Sequence, residues 1–293
     1  MLLGLFGWSA FRLVSLRQLF SLHNPYVPQL ALIAAAAAPL LSGLLMLSSI
    51  ATMMGLPISA LDWRTINGML LGTDMGSAFL VRSGLLAFGL TVLLVLGRRN
   101  SGLALAAACY SGALLTLGWS GHAAATDGSL GILHRANNGL HLMAAGLWLG
   151  AIGWFLALTI QCHKRTDELS AQVVLKAMHS FAPLGVTLVA LVVLTGLVNA
   201  NLIFGLPNSM ATLGTPYGAM LAGKVSLVIA MLAFAAHNAR ISKDHHETDL
   251  SLATPRPNQI LGRLWRSLAA ELLLGLGVIG LVAILGTISP LMG

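Results

Sequence analysis

Charge is scarce in this sequence. Its 293 residues include only 16 Lys and Arg and 9 Asp and Glu, while 57% are hydrophobic. Ordinary soluble domains carry about 25% charged residues, so a chain with a fully wetted surface is excluded. Cysteine is nearly absent. Cys109 and Cys162 sit in or beside different apolar runs with no CxxC pattern, which argues against a disulfide framework and a thiolate zinc site. The apolar stretch 1–11 lacks a basic flank and does not read as a cleavable signal peptide. No Walker-type loop or phosphorylatable Asp motif is present, so neither ATP hydrolysis nor another enzymatic activity is expected. No repeat of 20–50 residues occurs.

What is present is a series of apolar segments, at about 1–11, 30–54, 76–97, 102–120, 138–160, 179–205, 217–237 and 268–291. Runs of this length cross a bilayer, and the bilayer demands internally satisfied backbone. The expected fold is an all-α, polytopic helical membrane bundle of about eight transmembrane helices, forming one integral membrane domain over 1–293. The first segment is short. Either it continues past Arg12 to Phe20 with that arginine sheltered, or the start lies inside a longer helix. Pro39 is tolerable in a membrane helix as a kink.

Alternating the eight spans sorts the loops by charge. Twelve of the 16 Lys and Arg fall on one side. Arg64 and Arg135 fall on the other, and Arg82 and Lys224 lie within spans. The positive-inside rule makes the basic side cytoplasmic and leaves both termini outside. Topology thus explains the basic balance, and no nucleic-acid partner is needed. The longest connector, about 238–266, reads as a solvated cytoplasmic loop; its His245-His246 pair is a minor metal candidate.

The same topology gathers coordinating groups toward the outer face. The stretch Gly121–Trp154 carries His122, His134 and His141. If it is helical from Ser129, then His134, Asn138, His141 and Trp148 share one stripe. A seven-residue offset separates His134 and His141 by about 10 Å, too far to share an ion easily. They read as successive stops, as ligands completed by other helices, or as satisfied histidines of an interfacial loop. Met75 and Met143 lie on or near that face with several other methionines. Thioether and imidazole together suit Cu(I), and imidazole suits Cu(II) or zinc. Within the spans, Arg82 and Lys224 either snorkel to headgroups or hold a polar interior. Asn199 and Asn201 could hydrogen-bond to them. Glu271 pairs with Arg263 or Arg266, or accepts a proton or ion leaving the membrane.

The Gly121-His122 pair, His134-x6-His141-Leu142 followed by Ala145, Trp148 and Gly150, and Tyr217-Gly218-x5-Lys224 with Asn238 resemble the copper resistance protein D (CopD) family. The closing Glu271, with Leu285-Gly286-Thr287 and Pro290, is similar too. Residues 175–290 would form the family's namesake region. The resemblance implies an inner-membrane copper homeostasis protein that moves copper, as Cu(I) or Cu(II), inward from a periplasmic partner of the CopC type. It also implies His122, His134 and His141 as ligands, with Met75 and Met143 as additions. The short first segment departs from the full first helix of the family. Two alternatives stand beside this reading. One is a copper-binding scaffold or docking subunit without its own path. The other is a haem b electron-transfer protein, for which His179 and His237 form the one pair at matching depth within the spans.

Overall fold

The computed structural model describes residues 1–14, 26–97, 99–120, 124, 126–165, 168–204, 214–248 and 257–286. Among them there is no strand. The helices are α1 (Leu2–Val14), α2 (Tyr26–Met54), α3 (Trp63–Gly72), α4 (Asp74–Leu96), α5 (Asn100–Leu115), α6 (Gly128–Arg165), α7 (Glu168–Phe204), α8 (Pro216–Thr248) and α9 (Pro257–Leu285). Each of the eight apolar segments falls on a helix over its described residues. Seven helices are long and apolar enough to cross a membrane, and α1 is shorter. It runs through Arg12 to Val14. Helix α2 continues unbroken past Pro39.

Several helices outrun the hydrocarbon. The 38 residues of α6 extend about 57 Å against a slab of about 30 Å. The same overrun corrects one expectation. Residues 238–266 are not mainly a solvated loop, because α8 runs to Thr248 and α9 begins at Pro257. The polar run from Lys243 to Glu247 continues a helix beyond its apolar span, and a proline is favoured at a first helical position. Helix α3 is also unforeseen. Asp62 caps it, accepting from the Thr65 N–H at 2.8 Å, and it leads directly into α4.

Two apolar clusters make up the interior. Phe11 of α1 packs with residues of α6 to α9, whereas Leu5 of the same helix packs with α2, α4 and α5. The short first helix therefore joins both halves. It runs parallel to α6 and approaches it through glycines: a Cβ at Gly7 would overlap the Gly146 carbonyl, and one at Gly150 would overlap Gly7. Above this seam, the Trp8 and Trp154 rings stack at 6.5 Å and 6°, and the Trp154 indole N–H donates to the Trp8 carbonyl at 3.2 Å. Phe11, Phe155 and Phe181 meet edge-to-face at 5.2–5.6 Å. In lipid, where apolar burial is not a driving force between helices, close backbone approach and such ring contacts hold them together. Helices α4 and α5 run antiparallel, as Gly89 with Tyr110 and Gly112 with Leu85 show, and so do α8 and α9, as Gly223 with Leu281 and Gly275 with Met231 show.

Two predictions follow from this packing and from the α3 cap. Gly7→Leu should lower stability in detergent by about 1–3 kcal/mol, read as a drop in the melting temperature. Gly4→Leu should not, since nothing lies within 4 Å of a Cβ at Gly4. The Thr65 hydroxyl, then its backbone N–H, hold the Asp62 carboxyl below its ordinary value. A carboxyl lowered in the folded state contributes stability above its unfolded value and loses it as pH falls through the lowered one. Amide exchange over 63–66 should therefore accelerate only in strong acid, and Asp62→Ala should bring that acceleration to neutral pH.

Candidate functional site

Helix α6 carries the candidate site, and its helical geometry puts His134, Asn138, His141 and Trp148 on one stripe, as the spacing suggests. His134, in the second turn, is 2% exposed. Its Nδ1 lies 2.9 Å from the Thr126 Oγ1. Thr126 precedes the helix, and a turn through Gly128, at φ 64°, folds it back. Beside it, the Arg135 guanidinium lies over the Trp119 ring at 5.4 Å. His122 lies outside the described residues.

Just under one turn beyond His134, Asn137 reaches α7. Its Nδ2 donates to the Thr195 carbonyl at 2.9 Å and to the Asn199 Oδ1 at 2.8 Å. His141 is half-buried, with its Nδ1 2.9 Å from the Thr195 Oγ1. The Thr195 hydroxyl donates its single proton to the Leu191 carbonyl one turn back. What it offers His141 is a lone pair, so Nδ1 is the donor. The neutral ring is then the Nδ1–H tautomer, and Nε2 carries its ligand lone pair. Lys224 of α8, half-buried, is the cation whose field reaches His141. Asn201 is exposed.

Each remaining candidate has its own neighbourhood. The Met143 Sδ accepts from the Ser111 hydroxyl of α5 at 3.1 Å. Met75 is half-buried in the first turn of α4, above the Thr73 cap. Arg82 is 8% exposed. Its Nε donates to the Ser42 Oγ of α2 at 3.0 Å, and its guanidinium lies 5.8 Å from the Phe79 ring. It therefore anchors α2 to α4 and does not snorkel. Glu271 stands midway along α9, not at its end, and is 2% exposed. Its partners are Asn238, whose Nδ2 donates to Oε2 at 3.0 Å, and the Trp148 indole. Arg263 and Arg266 are not among them; Arg266 lies over Trp265.

The histidines are thus arranged in series along α6, each oriented by a hydroxyl. Among the described residues, no three His, Cys, Asp or Glu side chains converge to hold a metal. Sequence reasoning passed over Asn137, Thr195, Thr126 and Ser111. A signal existed for one pair: Thr195 and Asn199 stand four apart in an otherwise apolar helix, on one face.

These features define a class: a multi-pass helical membrane protein in which one long helix carries oriented imidazoles and amides through the bundle. Comparison with known proteins narrows it. The family description "Copper resistance protein D" matches residues 175–285, and "Copper resistance protein D-like, N-terminal domain" matches 1–132. The chain is 31% identical to the Copper resistance protein D of Pseudomonas syringae pv. tomato, over 99% of this chain and 93% of that one. It belongs to the copper resistance protein D family. It is also 28% identical to the Inner membrane protein YebZ of Escherichia coli (strain K12), over 58% of this chain and 54% of that one. The same identity relates it to the Copper transport protein CutJ of Bacillus subtilis (strain 168), over 58% of this chain and 28% of that one. No solved structure matches significantly.

Asn137 supplies two hydrogen bonds from α6 to α7. Asn137→Ala should lower stability by about 0.6–2 kcal/mol, measured by thermal unfolding in detergent. Asn138→Ala, on the neighbouring half-buried position, serves as the comparison and should cost less.

Proposed function

We propose that this chain takes copper from the periplasm at the end of the bundle that carries His134, and passes it inward across the cell inner membrane. Family membership supports the copper substrate, and the name of the Escherichia coli relative supports the location. The orientation rests on the distribution of Lys and Arg. The single observation that carries the reading is the contact of the His141 Nδ1 with a Thr195 hydroxyl that is itself directed at the Leu191 carbonyl, an arrangement that assigns the Nδ1–H tautomer. A hydrogen bond from the Nδ1–H of this kind orients imidazole ligands and raises the basicity of Nε2.

Copper would enter at His134, with His122 twelve residues earlier in the sequence, and move to His141. The Met143 thioether stands one half-turn along, and Met75 opens a neighbouring helix. Soft sulfur and imidazole donors fit Cu(I). Lys224 opposes a cation at His141. Such weakening suits a transit site, where an ion must leave as readily as it enters. Each positive charge moved inward down 100 mV releases about 2.3 kcal/mol, so no nucleotide is required. A periplasmic copper-binding protein of the CopC type is the proposed donor.

Copper uptake by sealed vesicles containing only this protein tests the proposal. Wild type should accumulate copper, His141→Ala should abolish accumulation, and Thr195→Val should weaken apparent copper affinity about tenfold. Vesicles that bind copper at their surface without internalising it would overturn the transport reading in favour of a docking role. Unchanged uptake in both His134→Ala and His141→Ala would remove the site.

A further inference from the structure

A cavity of about 260 Å³ lies between α6, α7, α8 and α9. Its walls are almost wholly apolar, formed by residues such as Phe155, Phe181, Val189 and Leu268. Asn238 and Glu271 line it as well, 5% and 2% exposed. Two features of this pair do not fit an ionised carboxylate. First, among the described residues no cation is paired with Glu271; its partners are the Asn238 amide and the Trp148 indole. Second, the Asn238 Oδ1 is buried with no hydrogen-bond partner. An uncompensated carboxylate and an orphaned carbonyl are both costly in an apolar interior. Turning the amide over does not help. It would set Oδ1 against Oε2, acceptor against acceptor, and orphan Nδ2 instead.

One added proton removes both costs. A protonated Glu271 donates its O–H to the Asn238 Oδ1, while the Asn238 Nδ2 donates to Oε2. The result is a closed acid–amide pair with two hydrogen bonds. We propose that Glu271 and Asn238 form a proton-binding site, loaded and emptied through this cavity. The ionisable groups on the packed elements do not share the cavity. His163 of α6, Lys176 and His179 of α7, His237 and Arg240 of α8, and Arg263 and Arg266 of α9 are all absent from its described lining. Glu271 therefore exchanges its proton as a single site.

The consequence for transport rests on the reading above. When a cation passes the inner half of the bundle, the Glu271 O–H bond breaks, water admitted to the cavity takes the proton, and the carboxylate balances the incoming charge. Copper moving inward then displaces a proton at this level, and each proton returned outward offsets one unit of the charge that copper carries in.

Infrared spectroscopy of the full chain in lipid tests the site without copper. Wild type at neutral pH should show the C=O band of a protonated carboxylic acid that shifts in heavy water. Glu271→Gln keeps the pair of hydrogen bonds and should lose the band. Asn238→Ala should shift it, and Asp62→Asn, at an exposed acid, should leave it unchanged. A spectrum without the acid band, or a band that survives Glu271→Gln, overturns the proposal. In vesicles with a trapped pH dye, copper entry should move protons in wild type, and that movement should fall to background in Glu271→Gln. Copper entry without protons, with the acid band intact, overturns the exchange and leaves the proton site standing. Vesicles that take up no copper contradict the transport reading alone.

Discussion

Polar side chains inside lipid must find their partners within the protein, and here they find them through α6. That helix touches α1, α5, α7 and α9, and each polar group along it meets a different neighbour. Asn137 and His141 meet α7, Met143 meets α5, and Trp148 meets Glu271 of α9. A buried polar atom left alone would cost more than one such hydrogen bond returns. The contacts therefore fix how the surrounding helices are turned about their axes as well as that they pack. This is how an apolar bundle, whose helix faces are otherwise nearly interchangeable, acquires one arrangement.

The short first helix shows the same economy in apolar form. The thirteen described residues of α1 are shorter than the slab is thick, yet they are anchored by glycine-to-glycine approach to α6 and by the Trp8 and Phe11 rings. The helix contributes to both apolar clusters. Arg82 and Ser42 do for α2 and α4 what Asn137 does for α6 and α7. A charge that a hydropathy profile marks as a cost becomes a fixed cross-link once its partner is seen.

The helices were legible in the sequence because apolar run length is a local property. All eight segments, the helix through His134 and His141, and the intramembrane positions of Arg82 and Lys224 could be read from composition and spacing alone. Pairing between helices could not. Thr195 stands 54 residues from His141 and Asn238 stands 33 from Glu271, and nothing in a local pattern joins them. Proximity in sequence pointed Glu271 toward Arg263 and Arg266 on its own helix, whereas the fold turns it inward to an amide on α8. Helix α3 escaped notice because ten residues with a modest apolar face resemble a loop between two long spans.

The placement of Lys224 and Glu271 decides how the interior handles charge. Opposite charges inside a membrane protein usually neutralise one another as a pair. Here Lys224 is near His141, while Glu271 is bonded to Asn238 fourteen residues further along α8, a separation of about 21 Å along the axis. At that distance neither charge cancels the other. Each must be balanced at its own level, by an ion, a proton or a reoriented dipole. On the proposed inward path, a cation descending from His134 would meet opposition at Lys224 and then, at the proposed proton site, an acid able to become negative by releasing a proton. The order matters: a repulsive level followed by one that turns attractive on deprotonation favours passage in one direction under an inward field, whereas a paired Lys–Glu would leave the interior electrically flat.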